Sequence, residues 1–154
     1  MIRALLAGLT QEEASYKPAP ETWSILEVTC HLYDEEQFDF RARIDVILNK
    51  PGQKFVHINP QAWITERKYN EQNFSEVHAK FFNERMRSLD WLRNLASANW
   101  DTPYEDEHGT ATAGEFFASW IAHDNLHIRQ LVELRRARIE KVTQPYPIEY
   151  AGEW

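Results

Sequence analysis

Cysteine is almost missing from this chain, since Cys30 is the only one in 154 residues. A single cysteine cannot form a disulfide within the chain, and it excludes the cysteine-rich cages that hold many structural zinc ions. Histidine and carboxylate side chains are therefore the plausible ligands for any metal ion bound here. Cys30 stands next to His31, about 100° around a helix from it, and this position predicts a small core residue and not a nucleophile.

Long hydrophobic runs and an excess of positive charge are also missing. No segment approaches the roughly 20 consecutive apolar residues of a membrane-spanning helix, and the N-terminus lacks the cleavage site of a secretory signal. The formal net charge of −7 repels nucleic acid phosphates. These absences predict a cytoplasmic protein without membrane or nucleic-acid partners. The apolar content of 43% allows one domain over residues 1–154, with a helical core over about 5–139 and a tail over 140–154.

Three capping signatures, each a Ser or Thr followed three residues later by Glu, predict helix starts: Thr10 with Glu13, Ser24 with Glu27, and Thr112 with Glu115. The second signature opens a periodic apolar segment that ends near Asn49, and the third opens one that ends near Ile139. Further helices are predicted from Asn59-Pro60 and from Phe74, whereas residues 99–109 and the tail after 142 are polar and irregular. No strand pattern stands out.

These segments predict an all-α bundle with roughly antiparallel neighbouring helices. The first helix is short, because residues 1–9 supply only about two and a half turns. Either the bundle is open on one side, or another subunit covers it.

Two histidines one helical turn apart lie on the apolar stripe of the last helix. His123 and His127 share this stripe with four apolar residues: Phe116, Trp120, Leu131 and Leu134. Buried imidazoles without partners cost free energy, and a shared metal ion would satisfy both. The alternative is that the two rings lie at the edge of the stripe and form hydrogen bonds with backbone or carboxylate groups.

A third histidine interrupts the apolar stripe of the Ser24 helix. His31 follows Val28 by three residues and points toward the histidine pair if the two long helices are neighbours. Three imidazoles from two helices leave a coordination position vacant, which is typical of catalytic and not of structural metal sites. Imidazole suits several divalent metals, and zinc or nickel is the expected cofactor.

Two segments of the chain resemble a known family. The first, Trp23-Ser24-Ile25-Leu26-Glu27-Val28 followed by His31-Leu32, Asp34 and Glu36, resembles the W-S-x-x-E-x…H-L-x-D-x-E start of the DinB/YfiT-like superfamily. The second, His123-Asp124-Asn125-Leu126-His127 with Ile128 and Gln130, resembles its H-x-x-x-H-x-x-Q close. The order and separation of these patterns extend the resemblance from about Leu5 to Ile139.

This resemblance implies a DinB-like up-down four-helix bundle with a divalent metal on His31, His123 and His127. The short first helix departs from the family pattern. Members are often dimers, so a homodimer is expected. Several transfer or isomerise with bacillithiol, mycothiol or glutathione, others are described as metal-dependent hydrolases, and many have no known activity. A low-molecular-weight thiol is the candidate cosubstrate, and a small electrophile is the candidate substrate.

Two polar residues near the predicted ligands, Glu36 and Gln130, are the candidate catalytic residues. Gln130 follows the histidine pair by three residues, and it hydrogen-bonds a ligand, orients a histidine or is an ordinary polar residue. Glu36 matches the family position; it and Glu35 either accept a hydrogen bond near the metal or form structural ion pairs with Arg43 or Arg129. The other histidines are expected to be solvated: His57, His78 and His108.

Three classes of function fit these observations. The first is a metal-dependent enzyme, which transfers a thiol to an electrophile or, as the alternative, hydrolyses a small molecule with metal-activated water. A protease is disfavoured, because Asp124 stands where the zinc-protease helix has Glu. The second class is a protein that the metal stabilises without turnover. The third is a helical interaction module without metal.

Overall fold

Helices carry most of this computed structural model, which describes residues 1–107 and 109–152. The helices in these residues are α1 (Ile2–Leu6), α2 (Gln11–Ser15), α3 (Ile25–Phe38), α4 (Phe40–Asn49), α5 (Pro60–Glu66), α6 (Phe74–Arg93) and α7 (Ala113–Val142). Single 3-10 turns lie at Tyr69–Glu71 and Glu149–Ala151.

The three predicted capping boxes are confirmed. The side chains of Thr10, Ser24 and Thr112 each accept a hydrogen bond from the backbone three residues on, and the glutamate there accepts one in return. Asn59 caps α5, with Pro60 in the first turn. Since these interactions are local, they set helix starts that short sequence patterns can predict.

The segment from Ser24 to Asn49, predicted as one helix, is instead two helices that meet at Asp39. This residue leaves the helical region, with φ −114° and ψ −101°, and its carboxylate pairs with Arg43 one turn later. Aspartate competes with backbone hydrogen bonding and so tolerates such a break. The consequence is a change of partner, because α3 packs mainly on α6 whereas α4 packs on α7.

A β-hairpin precedes α7, where the sequence predicted irregular structure. Strands β1 (Pro103–Asp106) and β2 (Gly109–Thr112) pair antiparallel, with Tyr104 opposite Ala111. The strands are short and mostly exposed, so they lack the alternation of buried and exposed residues that reveals a strand in a sequence. The ring of Tyr104 connects the hairpin to the rest of the protein, since it stacks on Phe55 with centroids 3.7 Å apart.

The core forms where α3, α6 and α7 meet, and α3 is buried on nearly all sides. Leu26, Leu32, Phe81 and Leu131 have almost no exposed surface. On the remaining side, α1 packs on α7, and α2 packs on α3 and α6. Two short helices thus replace one long first helix, and together the elements form a four-helix bundle.

None of the helices within residues 1–107 and 109–152 is long and apolar enough to cross a bilayer.

Candidate metal centre

Three imidazoles from opposite ends of the chain converge at one point. The Nε2 atom of His123 lies 3.2 Å from Nε2 of His31 and 3.1 Å from Nε2 of His127. One ring nitrogen from each histidine falls within 4.8 Å of the other two. The structure therefore brings together the three predicted ligands, where the second turn of α3 faces the middle of α7.

Helix periodicity places these side chains. His123 and His127 are separated by one turn on the inward face of α7, between the buried residues Trp120 and Leu131. His31 lies on α3 with 5% of its surface exposed. All three residues lie in regular helix, so rigid elements hold the site.

Gln130 fixes the orientation and tautomer of His127. The Nδ1–H group of His127 donates to Oε1 of Gln130 at 2.7 Å, which leaves the lone pair on Nε2 directed at His123. The Nε2 atom of His123 carries either a hydrogen or a lone pair. Nε2 of His127 cannot donate a hydrogen bond. A hydrogen on Nε2 of His123 can be donated to only one of its two neighbours, and a lone pair there can accept only from His31. At least one of the two short contacts of His123 is therefore not a hydrogen bond.

A cation shared by the three nitrogens resolves this conflict. Zinc binds imidazole at 2.0–2.1 Å, so two nitrogens on a tetrahedral zinc ion lie about 3.3 Å apart. The contacts of 3.1 and 3.2 Å are close to this spacing. The Nδ1 atom of His31 is buried and has no hydrogen-bond partner among the described residues, while Oε1 of Glu35 lies 3.8 Å away. The donor set thus fits a divalent metal ion.

Burial keeps these imidazoles neutral, which is the form that binds metal. Desolvation, followed by the neighbouring imidazoles, lowers the pKa of His31 from 6.5 to about 3. Desolvation also lowers the pKa of His123 to about 4, and His127 is shifted in the same direction. At neutral pH the site therefore presents three uncharged donors.

The imidazoles open into a pocket of about 610 Å³. Aromatic rings hold them in place: Trp23 meets His31 edge-on at 5.1 Å, and Phe40 lies 5.2 Å from His123, both measured between ring centroids. The rest of the wall is polar and contains Glu35, Asp39, Gln61, Arg129, Gln130 and Glu133. A ligand of the metal can therefore enter from solvent.

Two carboxyl groups, those of Glu35 and Asp39, lie on the pocket wall. Glu35 is buried and lies one turn before Asp39, which ends α3. Desolvation and a hydrogen bond with the Asp39 carboxyl group raise the pKa of Glu35 to about 9. Glu35 is thus protonated at neutral pH, and Asp39 pairs with Arg43.

The candidate catalytic residues occupy different places. Gln130 lines the pocket and contacts His127, whereas Glu36 is fully buried and does not line the pocket. Oε2 of Glu36 accepts a hydrogen bond from Ser88 at 2.5 Å, and Oε1 pairs with Arg85. This pairing is with a different arginine from the two considered in the sequence.

Asp34, which also matches the family pattern, lies away from the pocket, as do Cys30 and His78. Asp34 pairs with Arg67 at 2.7 Å, which joins α3 to the end of α5. Cys30 is buried, and desolvation raises the pKa of its thiol to about 12, so the thiol stays protonated and Cys30 is a core residue. His57 is exposed as expected, but His78 is half-buried between two phenylalanine rings. His108 lies outside the described residues.

Sequence reasoning assigned no role to Trp23, Phe40 or Asp39 in the pocket. Trp23 immediately precedes a helix cap, a position where an apolar residue often packs against the first turn. Phe40 belongs to the periodic apolar segment that begins at Ser24, but its contact with His123 depends on the break at Asp39. No sequence signal marks that break.

A helical bundle with an open three-histidine site is the class of protein that this fold and site define. The family model of the DinB superfamily matches residues 1–131, and the chain belongs to this superfamily. The matched region contains all three histidines. Comparison with curated proteins finds no significant match.

A solved structure shows the same fold. YfiT from Bacillus subtilis, described as a probable metal-dependent hydrolase with an unusual four-helix bundle topology, superposes with a TM-score of 0.74. The match covers 88% of this chain and 78% of YfiT, at 17% sequence identity. At this identity the similarity establishes the fold and leaves the reaction to be argued from the site.

Proposed function

We propose that this protein is a metal-dependent enzyme whose His31, His123 and His127 bind a divalent ion, either zinc or nickel. The convergence of three Nε2 atoms at the floor of an open pocket carries this proposal. Three protein ligands leave a position for a substrate or cosubstrate. A purely structural site would instead be closed by a fourth side chain.

The pocket walls supply the groups that a nucleophilic reaction needs. A divalent ion with a vacant position lowers the pKa of a bound thiol or water toward neutrality. The carboxyl group of Asp39 lies on the same wall as His31, where it can serve as a proton acceptor. Gln61 and Arg129 offer hydrogen-bond donors to a polar substrate, and Trp23 offers an apolar ring.

Thiol transfer to a small electrophile is the first candidate reaction. In the simplest case the thiolate sulfur forms a bond to a chloro-aromatic carbon, the carbon–chlorine bond breaks, and chloride and the thiol proton are released. The family resemblance supports this reaction, since relatives use bacillithiol, mycothiol or glutathione. The pocket of about 610 Å³ is large enough for a small ligand.

Hydrolysis is the second candidate, and the carboxyl pair favours it. Hydrolysis of an ester or amide by activated water needs a nearby proton acceptor, and Asp39 provides one beside Glu35. The description of YfiT as a probable metal-dependent hydrolase points in the same direction.

Metal content is the first test. Wild-type protein purified without chelators or an affinity tag is expected to contain about one metal ion per chain, and His31→Ala is expected to lose it. His78→Ala is the matched control, because His78 lies on α6 between phenylalanine rings and outside the site. Wild-type protein that binds neither zinc nor nickel would contradict the proposal.

Activity assays then separate the candidate reactions. Metal-loaded protein is incubated with each of the three thiols and a chloro-aromatic acceptor, and separately with a panel of small esters. Turnover with a thiol that His31→Ala lacks supports transfer, and thiol-independent turnover of an ester supports hydrolysis. Metal binding without turnover in either assay would leave a metal-stabilised binding protein as the function.

A further inference from the structure

Arg85 on α6 connects the two helices that carry the three histidines. We propose that Arg85 is a positioning residue, which holds α3 and α7 at the spacing that the metal centre requires and so sets the affinity for the metal. This inference rests on the proposed function, because it concerns the same metal site. It assigns a role to a side chain that touches none of the three imidazoles.

The contacts of Arg85 reach both helices at once. Its Nε atom lies 2.5 Å from Oε1 of Glu36 on α3. Its Nη2 atom donates to Oδ1 of Asp124 on α7 at 2.8 Å, and Nη1 donates to Oδ2 of the same carboxylate. A bidentate guanidinium–carboxylate pair fixes direction as well as distance. The bidentate pair therefore fixes the geometry of Arg85 on Asp124, and the ion pair with Glu36 connects the same guanidinium to α3.

Both carboxylates lie close to metal ligands along their helices. Asp124 directly follows His123, and Glu36 follows His31 by little more than one turn. At these spacings each carboxylate leaves its helix at a large angle from the histidine, so the imidazoles face each other while the carboxylates face α6. A shift of Arg85 would thus move or rotate the backbone next to two of the three ligands.

Apolar packing brings α3 and α7 together, but direct polar contacts between the described residues of these two helices are few. Within the described part of the chain, the contact of His31 with His123 is the only side-chain hydrogen bond or ion pair between these two helices. Ser88 reinforces the Arg85 connection, because its hydroxyl donates to the other oxygen of Glu36 at 2.5 Å. The path from α3 through α6 to α7 is therefore the main polar restraint on the site.

The ion pairs of Arg85 with Glu36 and Asp124 are largely buried, so they restrain the helices more than an exposed surface pair would. Glu36 is fully buried, and the side chains of Arg85 and Asp124 are 21% and 20% exposed. An ordinary structural ion pair between helices would affect stability alone. A positioning role makes a further prediction, which is that metal affinity and coordination geometry depend on Arg85.

The test compares Arg85→Met with Arg138→Met. Arg138 lies on α7 and also forms an ion pair between two helices, with Glu13 of α2, at side-chain exposures of 30% and 24%. This pair lies nearer the C-terminal end of α7 than the histidines do. Zinc affinity is measured by competition with a chromophoric chelator, coordination geometry by the visible spectrum of the cobalt(II) form, and stability by thermal unfolding of the metal-free proteins.

Arg85→Met is expected to weaken zinc binding by about 10- to 100-fold, which is typical when a residue that orients metal ligands is lost. Its cobalt(II) spectrum is expected to change. Arg138→Met is expected to keep zinc affinity within about twofold of wild type and the same spectrum.

Wild-type zinc affinity together with an unchanged cobalt spectrum in folded Arg85→Met would overturn the inference. If Arg85→Met does not fold, Asp124→Asn carries the test, because the amide keeps the shape of the carboxylate at a partly exposed position. It is expected to weaken zinc binding about tenfold, and an unchanged affinity would overturn the inference. Absence of zinc binding in wild type would instead overturn the proposed function.

Discussion

At the scale of single residues, the hydrogen bond between His127 and Gln130 decides which ring nitrogen is free. The Nδ1–H group is committed to the Gln130 side chain at 2.7 Å, so Nε2 faces the centre of the site. The two residues are one turn apart on α7, and the contact needs no other element. Gln130 thus acts on the site through the imidazole, while a direct role in catalysis stays a prediction.

Replacing Gln130 by Leu is expected to weaken zinc binding by about tenfold without unfolding the protein, because His127 loses the acceptor that fixes its tautomer. Titration calorimetry measures the affinity. Asn125→Leu is the matched control, since Asn125 lies on the same helix and its side chain donates to the backbone of Ile121 instead of an imidazole. Equal affinities in the two variants would contradict the assignment.

The lowered pKa values of the imidazoles predict how zinc binding depends on pH. The pKa of His31 is about 3 and that of His123 is about 4, so both stay unprotonated when the pH falls from 7.5 to 5.5. Protons therefore do not compete with the metal at these two imidazoles in this range, and burial lowers the pKa of His127 in the same direction. The zinc dissociation constant is expected to change less than about threefold.

Imidazoles with the ordinary pKa of 6.5 would behave differently. Each would weaken binding up to about tenfold for every pH unit below that value, because the metal must displace a proton. Calorimetric titrations at pH 7.5 and 5.5 distinguish the two cases. A steep loss of affinity that begins near pH 6.5 would show that the imidazoles are accessible to protons.

At the scale of helices and strands, the break at Asp39 shapes the pocket. An unbroken helix from residue 25 to 49 would continue in the direction of α3. The break instead turns α4 onto α7, where Phe40 stacks on Trp120 and contacts His123. It also leaves Asp39 on the pocket wall beside Glu35.

The capping box of α7 gives a prediction at the same scale. Thr112→Ala removes the hydroxyl that accepts from the backbone of Glu115, and it is expected to lower the free energy of unfolding by about 1 kcal/mol. Thr110→Ala is the control, because Thr110 is exposed in β2 and caps no helix. Urea unfolding measures both variants, and equal stabilities would show that the cap contributes nothing.

At the scale of the whole molecule, the N-terminal segment closes the bundle with two short helices. Leu6 of α1 and Ala14 of α2 are buried, and Arg135 of α7 donates to the backbone oxygen of Leu5 at 2.7 Å. The short first helix that departs from the family pattern is therefore accommodated within the chain. The candidate metal site lies between α3 and α7, two helices that are far apart in the sequence.

Metal binding at such a site is expected to stabilise the whole fold, because the unfolded chain does not hold the three imidazoles together. Zinc at about 100 times its dissociation constant should raise the free energy of unfolding by about 2.7 kcal/mol. Thermal unfolding with and without zinc measures this. His123→Ala is expected to lose the shift and the exposed His57→Ala to keep it; a shift that persists in His123→Ala would place the metal elsewhere.

The features that the sequence predicted well are those that depend on neighbours in the chain. The capping boxes, the periodic apolar stripes and the spacing of His123 and His127 all act within one or two helical turns. The break at Asp39 and the β1–β2 hairpin were missed for the opposite reason. Asp39 is one polar residue in a periodic helix, and the strands are too short and exposed to show a pattern.

By itself, then, the amino-acid sequence determined where the helices begin, which faces are apolar, and that three histidines lie on those faces, because helix geometry converts spacing directly into direction. Only the tertiary structure decided that α3 and α7 bring these imidazoles to contact, that Glu36 faces Arg85 instead of the pocket, and that Glu35 and Asp39 form the wall. These outcomes depend on how helices far apart in the chain pack against one another, and spacing along one helix carries no information about its partner.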